Sequence, residues 1–200
     1  PAVPLPRTRA SHTAIYDPAG DRMVVYGGVG ATRNDAWALA LAGPPTWSLL
    51  EPAGSPPAGH SSHTAILDPV RHRMVVFAGM PDTGLATGDV SVLDLGGTPA
   101  WSSVVEPLAP TSTAIHTSIY DPVGSRITSF GGMTYFAGPI NETWAVSLDP
   151  APLWSRLEPA GALPAPRHSH VAIYDRLRER MVVYGGFPTS LVQGYLNEVW

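Results

Sequence analysis

Four histidines recur along the chain in steps of 51, 53 and 54 residues. They are His12, His63, His116 and His170. Imidazole nitrogens are common metal ligands, so equivalent histidines gathered around one axis could hold a metal ion. The alternative is that each ring fills the same packing or hydrogen-bonding position in its own repeat. Four repeats would hold the rings well apart, which favours the second interpretation.

A second histidine pattern occurs once, where His168 and His170 flank a single serine. Residues i and i+2 of a strand point to the same face, so these two rings could chelate a metal. The other three repeats have alanine or serine at the position of His168. The pair is therefore a weak metal candidate, and no cofactor is predicted.

Aspartates recur five residues after the histidines. They are Asp17, Asp68, Asp121 and Asp175. Paired carboxylates can perform acid–base chemistry. Proline follows three of the four, however, and Asp-Pro is typical of a turn in which the carboxylate accepts backbone hydrogen bonds. We therefore predict turn capping rather than catalysis.

All of these residues belong to one stretch that occurs four times, at 11–28, 62–79, 115–132 and 169–186. It reads SHTAIYDPAGDRMVVYGG in its first copy. A short strand, an Asp-Pro turn and a continuous apolar run predict a β-hairpin, and the apolar run predicts a second strand covered on both faces. Paired glycines then indicate positive φ or close backbone approach.

Two further strands are predicted in each of the first three repeats, and one further strand is predicted in the fourth. The third begins near Asn34 in the first repeat and carries Trp37, and the fourth begins at Trp47. Proline-rich links join one repeat to the next. No stretch has apolar residues at the 3.6-residue period of a helix together with capping residues at its ends. A period of about fifty residues with four strands per unit predicts a repeat architecture.

The charge, cysteine content and hydrophobic runs of the chain exclude some classes of function. The chain has 12 basic residues, all of them arginine, a net charge of −4 and no cysteine. An acidic chain without a basic run is not typical of nucleic-acid binding. No apolar run reaches the length of a membrane span. Disulfide and thiol chemistry are excluded.

The recurring first strand, the apolar second strand ending in Gly-Gly and the Trp-Ser start of the fourth strand resemble kelch repeats of the bacterial kind. The resemblance implies an all-β fold, a kelch-type β-propeller of about four blades within a single domain, residues 1–200. The expected blades are 7–56, 57–110, 111–164 and 165–200. The last lacks its outer strand, so we expect an incomplete ring that is closed by further chain, a second copy or a partner, further chain being favoured.

The resemblance also implies that arginines at the channel mouth can recognise carboxylates. Arg9 and Arg167 each precede a repeat histidine by three residues. Alternatively, they pair with Asp35, Glu142 or Glu198 of the third strands and hold the blades together. Both interpretations remain open from the sequence.

Loops of different length, at 29–33, 80–87, 133–140 and 187–196, follow the glycine pairs and the Ala78-Gly79 that replaces the pair in the second repeat. Variable loops on a regular scaffold usually carry specificity. Their aromatic residues favour protein or sugar contacts, unless they fold back over the blade. The ligand-binding candidates are Arg9, Arg33, Tyr135, Phe136, Arg167, Phe187 and Tyr195.

We therefore predict a non-enzymatic binding module that presents its loops to a protein or glycan. One alternative is an enzyme of the kelch-propeller oxidase or sugar-processing kind, with its site at the channel mouth. Another is a structural repeat block of a larger surface or filament protein. A secreted or cell-surface location is favoured.

Overall fold

The computed structural model describes residues 5–30, 34–58, 60–81, 88, 90–104, 113–134, 136–148, 153–188 and 194–200. These residues form strands, turns and bends and no helix, as predicted. The chain divides into two compact units. The first comprises Pro1–Leu85 and Asp89–Val105, and the second comprises Ala86–Gly88 and Glu106–Trp200.

The first unit contains two four-stranded antiparallel sheets, one from each of the first two repeats, with the strands in chain order. The strands of the first sheet are Thr13–Asp17, Arg22–Tyr26, Ala36–Ala40 and Thr46–Leu50. Those of the second sheet are Thr64–Asp68, Arg73–Phe77, Val90–Asp94 and Ala100–Val104. The predicted order of four strands per repeat is confirmed.

The core of this unit is built from both sheets. Its buried members are Ile15, Val24, Tyr26, Ala36, Met74, Val76, Leu93, Leu95 and Trp101. On the opposite face of the two second strands, Val25, Val75 and Phe77 are also buried, so both faces of these strands are covered. The link between the repeats is also bound, because Ala53 exchanges two backbone hydrogen bonds with Pro99 and Trp101, at 2.9 and 2.8 Å.

The second unit contains the third and fourth repeats. The third repeat forms a four-stranded sheet of Thr117–Asp121, Arg126–Phe130, Thr143–Ser147 and Leu153–Leu157. The fourth repeat pairs two strands, Val171–Asp175 and Arg180–Tyr184. Its predicted third strand is shorter than expected: Val183 and Trp200 exchange two backbone hydrogen bonds, but the pairing does not extend into a strand.

Each first strand begins one residue after the repeat histidine. The residue before that histidine has positive φ, between 54° and 59°, which breaks the extended backbone. These residues are Ser11, Ser62, Ile115 and Ser169. The histidines therefore sit at a bend at the strand entrance rather than within the strand.

Short ribbons, which were not predicted from the sequence, anchor the variable loops. The residues ahead of each bend pair with the start of the loop that follows the glycines. The pairs are Arg9–Ala10 with Val29–Gly30, His60–Ser61 with Met80–Pro81, and Thr113–Ala114 with Met133–Thr134, which also pairs with Gly138–Pro139. In the fourth repeat a single bridge joins His168 and Phe187.

The second glycine of each pair allows this return. Gly132 has a φ of +103°, and a Cβ atom there would lie 2.8 Å from Cβ of His116. The positive φ and the close approach to His116 both disfavour a side chain at this position, and glycine satisfies both conditions. In the first hairpin turn, positive φ falls on Asp21, which is not a glycine.

Candidate functional site

Three side chains of the fourth repeat stack into an aromatic ledge, defined here as His168, Phe187 and Tyr195. The His168 and Phe187 rings are nearly parallel, with centroids 5.5 Å apart. Phe187 and Tyr195 are tilted by 59°, with centroids 4.7 Å apart. Tyr195 is 78% exposed and forms the outer end of the stack. Two of the predicted binding residues are thus brought together.

The predicted pairing of His168 with His170 as same-face strand neighbours is wrong. Ser169 between them has a φ of 55°, and the strand begins only at Val171. His168 joins the ledge, whereas the His170 ring meets Phe130 and Thr117 of the third repeat. Among the described residues, no three potential metal-ligating side chains cluster.

Arg167 is buried, and its side chain binds residues on both sides of the 187–196 loop that carries part of the ledge. Its guanidinium donates to the Gly185 carbonyl, 3.0 Å away, where the loop begins. It also forms an ion pair with Glu198, where the loop ends. The side chain has no exposed surface. Of the two interpretations left open by the sequence, the structure therefore supports pairing with a third-strand acid.

Arg9 repeats this arrangement in the first unit. Its guanidinium bonds both carboxylate oxygens of Asp35, at 2.7 and 2.8 Å, and the Gly27 carbonyl, at 3.1 Å. Gly27 and Asp35 lie on the two sides of the first variable loop, 29–33. A bidentate Arg–carboxylate pair fixes geometry as well as charge. We call Arg9 and Arg167 the loop clamps.

In the first, third and fourth repeats, the acid that follows the variable loop accepts a hydrogen bond from the tryptophan two residues later. Trp37 donates to Asp35 at 2.6 Å, and Trp144 donates to Glu142 at 2.9 Å. In the third repeat, Glu142 forms an ion pair with the half-exposed Arg156 of the fourth strand, at 3.2 Å. The tryptophans thus help to orient the carboxylates that pair with these arginines.

The loop of the third repeat borders the ledge at the level of the backbone. The Arg167 amide donates to the Ile140 carbonyl at 3.1 Å, and the Gly132 amide donates to the Arg167 carbonyl at 2.9 Å. This loop carries Phe136, whose side chain is 90% exposed. The other two predicted binding residues, Arg33 and Tyr135, lie outside the described residues.

The repeat histidines connect neighbouring sheets within each unit. Nε2 of His63 shares a hydrogen bond of 2.6 Å with the Thr13 hydroxyl of the preceding repeat. His170 and Thr117 form the same contact, also at 2.6 Å. This agrees with the interpretation of the histidines as repeated structural positions. The threonine partners were missed, although Thr13, Thr64 and Thr117 recur directly after their histidines.

Burial lowers the pKa of His170 to about 4, and the positive charge of Arg167 acts in the same direction. Burial also lowers the pKa of His168. Both rings are therefore neutral near pH 7. A neutral His168 adds no charge to the aromatic ledge.

The aspartates cap the hairpin turns, as predicted, but each also binds an arginine five residues later. In the first repeat, Oδ1 of Asp17 accepts from the Ala19 amide at 3.1 Å, and Oδ2 accepts from Nε of Arg22 at 2.8 Å. The equivalent arginines are Arg73, Arg126 and Arg180. This pair was overlooked, although its spacing recurs in all four repeats.

Two of the turn carboxylates, Asp17 and Asp121, have lowered pKa values. Burial raises the pKa of Asp17, but hydrogen bonds from Arg22 and His72 outweigh it, and the net pKa lies below the ordinary value. The pKa of Asp121 is also lowered, because bonds from the Gly124 amide and Arg126 outweigh burial. Carboxylates with lowered pKa values are suited to structural ion pairs and not to general-acid catalysis.

Within the described part of the chain, no helix has the length and apolar character needed to cross a membrane.

Comparison with known proteins places the chain among several larger proteins. It is 33% identical over 192 residues to Adagio-like protein 1 of Oryza sativa subsp. japonica, which covers 86% of this chain and 29% of that protein. It is 28% identical over 149 residues to Host cell factor homolog hcf-1 of Caenorhabditis elegans, covering 64% of this chain and 18% of the relative. No protein-family model matches the sequence.

A third relative carries the repeat type in its name. The chain is 29% identical over 194 residues to the Rab9 effector protein with kelch motifs of Gallus gallus, covering 90% of this chain and 48% of the relative. The chain thus spans less than half the length of each of these three relatives. Its four-stranded antiparallel sheets agree with the blades that kelch motifs build. The chain is a kelch-repeat protein, and its sheets are blades of the β-propeller fold.

Proposed function

We propose that the chain is a protein-interaction module and that the aromatic ledge is its contact surface. The observation that carries the proposal is the stack of His168, Phe187 and Tyr195, with Tyr195 projecting from it. Aromatic side chains that offer a large apolar area and a polar tip dominate the energy of many protein interfaces. The chicken relative, named as an effector of Rab9, is consistent with a protein ligand.

The loop clamp supports this function because it limits the cost of ordering the loop. Arg167 binds the carbonyl of Gly185 and the carboxylate of Glu198, so both ends of the ledge loop are fixed before a ligand arrives. A preorganised surface loses less conformational entropy on binding than a mobile one. Phe136, on the adjoining loop, extends the exposed aromatic area of the same unit.

Affinity capture with matched variants tests the proposal. Tyr195→Ala and Phe136→Ala remove exposed rings. Tyr16→Ala is the control, because Tyr16 is an exposed tyrosine of the first strand in the first sheet. Proteins that the wild-type chain captures should also be captured by the Tyr16→Ala variant, but not by the Tyr195→Ala variant. With a purified partner, the affinity should fall about tenfold or more, as for an interface hot spot.

The alternative ligand is a glycan, and a glycan array probed with the same variants distinguishes it. Selective glycan binding that Tyr195→Ala abolishes, without any protein partner, would replace the proposed ligand class. Protein binding that persists unchanged in both Tyr195→Ala and Phe136→Ala would show that the ledge is not the contact surface.

A further inference from the structure

The variable loop of the third repeat folds into a short β-hairpin. Its two arms, Met133–Thr134 and Gly138–Pro139, pair with each other, so only residues 135–137 connect them. Gly138 has a φ of +74°, and connections of this length commonly close on a residue with positive φ. We call residues 133–140 the third-loop hairpin.

The Thr134 side chain fixes the tip of this hairpin. Its hydroxyl oxygen accepts a hydrogen bond from the Ala137 amide at 3.0 Å, and the hydroxyl donates to the Gly138 carbonyl at 3.2 Å. A threonine hydroxyl that bonds nearby backbone in this way stabilises a local turn. Phe136 directly precedes Ala137, so its backbone is held in position before any ligand arrives.

The base of the hairpin is bound on two sides. Thr113–Ala114 of the same repeat pairs with Met133–Thr134. On the other side, the Arg167 amide of the fourth repeat donates to the Ile140 carbonyl at 3.1 Å. The next repeat is therefore in place beside this hairpin. Phe136 is nevertheless 90% exposed, so its exposure does not come from a missing neighbour at this edge.

A phenyl ring at the tip of a turn is an unusual use of this side chain. Turn positions ordinarily carry glycine, proline, asparagine, aspartate or serine. The exposed ring of Phe136 forgoes the free energy of burial, and it gains that free energy when a partner covers it. Because the ring stands on a narrow hairpin tip, a flat partner surface covers little of it, whereas a concave pocket encloses it.

The charge of the loops indicates which kind of pocket fits. The third-loop hairpin reads MTYFAGPI and contains no charged residue, and neither does the 187–196 loop of the fourth repeat. The other two variable loops contain Arg33 and Asp82. A charged pocket would lose hydration on contact with the third-loop hairpin without gaining an ion pair from it. The matching pocket is therefore apolar and uncharged.

We propose that Phe136 anchors the protein partner by inserting its ring into an apolar, uncharged pocket of that partner, and that Thr134 positions the ring. The proposal rests on the protein-interaction function proposed for the second unit, and it adds the chemistry of the partner surface. Aromatic side chains that fill pockets carry much of the binding energy of protein interfaces. The two Thr134 bonds reduce the cost of ordering the tip, because the tip is already fixed.

A cavity of known chemistry tests whether the ring can be enclosed. β-Cyclodextrin is a closed ring of glucose units with an apolar cavity that accepts a phenyl group, and maltoheptaose is the open chain of the same units without a cavity. In the 200-residue chain, isotope-labelled at its four phenylalanines, β-cyclodextrin should shift the NMR signal of Phe136 and maltoheptaose should not. Phe136→Ala identifies that signal, and an unshifted signal would overturn the proposal.

Competition then tests the interface with the protein that the wild-type chain captures. β-Cyclodextrin should release this protein, and maltoheptaose should not. Phe136→Ala should lower its affinity about thirtyfold or more, the loss expected of a hot spot. Thr134→Val removes both tip bonds but keeps the ring, and it should lower the affinity about threefold to tenfold. Thr134→Ser keeps the hydroxyl and should restore it. Far-ultraviolet circular dichroism checks that each variant is folded.

The charge of the pocket is tested at Ala137, an exposed neighbour of Phe136. Ala137→Glu and Ala137→Lys should both weaken binding of the captured protein, because neither charge finds a counterpart in an uncharged pocket. Tighter binding of either variant would show a charged partner surface and would overturn the proposed chemistry.

The outcomes separate the anchor from the function on which it rests. Capture that is lost with Tyr195→Ala but unchanged with Phe136→Ala would overturn the anchor and leave the aromatic ledge as the contact surface. Equal affinities for the wild type and Thr134→Val would overturn the positioning role of Thr134. If the wild type captures no protein, or if neither Tyr195→Ala nor Phe136→Ala affects capture, the function and the anchor both fail.

Discussion

Asp17 and Arg22 face each other in register across the first hairpin, with Oδ2 and Nε 2.8 Å apart. The same pair closes the hairpin in every repeat, as Asp68–Arg73, Asp121–Arg126 and Asp175–Arg180. The carboxylate serves two purposes, since its other oxygen accepts amide hydrogen bonds of the turn. Turn and strand pairing therefore depend on one side chain.

Replacing Asp17 by asparagine should destabilise the chain, because the neutral amide is a weaker acceptor for Arg22 and His72. We expect a loss of about 2 kcal/mol in the free energy of unfolding, the range of a hydrogen bond to a charged group. Urea denaturation measures it. Asp175→Asn is the matched control, and its loss should be smaller, because Arg180 is 59% exposed and solvent screens the pair. Equal losses of stability in the two variants would show that burial does not strengthen the Asp17 ion pair.

Replacing Thr117 by valine should weaken the contact between the third and fourth repeats. The change keeps the shape of the side chain but removes the hydroxyl that bonds His170, which leaves a buried imidazole nitrogen without this partner. The expected cost is about 1–3 kcal/mol. Thr98→Val, in an exposed bend, is the control and should cost little. If Thr117→Val left the free energy of unfolding unchanged, water would have replaced the hydroxyl at no cost.

Alanine at Gly132 should cost more than alanine at Gly138. Both residues have positive φ, +103° and +74°, so both variants carry backbone strain. Only at Gly132 does the added Cβ atom collide, with His116 Cβ at 2.8 Å and the Ala114 carbonyl oxygen at 3.0 Å. We expect about 1 kcal/mol for Gly138→Ala from conformation alone, and a clearly larger loss for Gly132→Ala. Thermal unfolding of the two variants separates strain from collision.

Stability should fall as the pH is lowered from 6.5 towards 4, because the pKa of His170 is about 4 in the folded chain and its ordinary value is 6.5. In this range the unfolded chain binds a proton that the folded chain does not. The slope from this group approaches about 1.4 kcal/mol per pH unit, and the total is about 3 kcal/mol. The contribution is fully present above pH 6.5.

The pH effect is measured by denaturation of the wild type and of His170→Gln at several pH values. The variant should be less stable at neutral pH but should lose less stability between pH 6.5 and 4. The lowered pKa of His168 acts in the same direction, so some slope should remain. Parallel curves for the two proteins would show that His170 titrates normally in the folded state.

The sequence by itself determined the repeat, the four strands of each complete sheet and the turn chemistry. A period of about fifty residues is visible without coordinates. Strand length, Asp-Pro turns and glycine pairs are signals that act over a few residues. Local preferences of this kind are set by backbone sterics and short-range hydrogen bonds, so they can be read directly from Asp17, Pro18 and Gly28.

Only the tertiary structure decided which of the candidate residues act together. Arg167 was a ligand candidate, but it is buried against Glu198, and His168 joined Phe187 instead of His170. These partners lie 31 and 19 residues apart in the sequence. Their contacts arise from packing between loops and sheets. That packing depends on a positive φ at Ser169 and on the single bridge between His168 and Phe187. Side-chain direction at a bend is fixed by the surrounding structure, and strand periodicity does not extend to it.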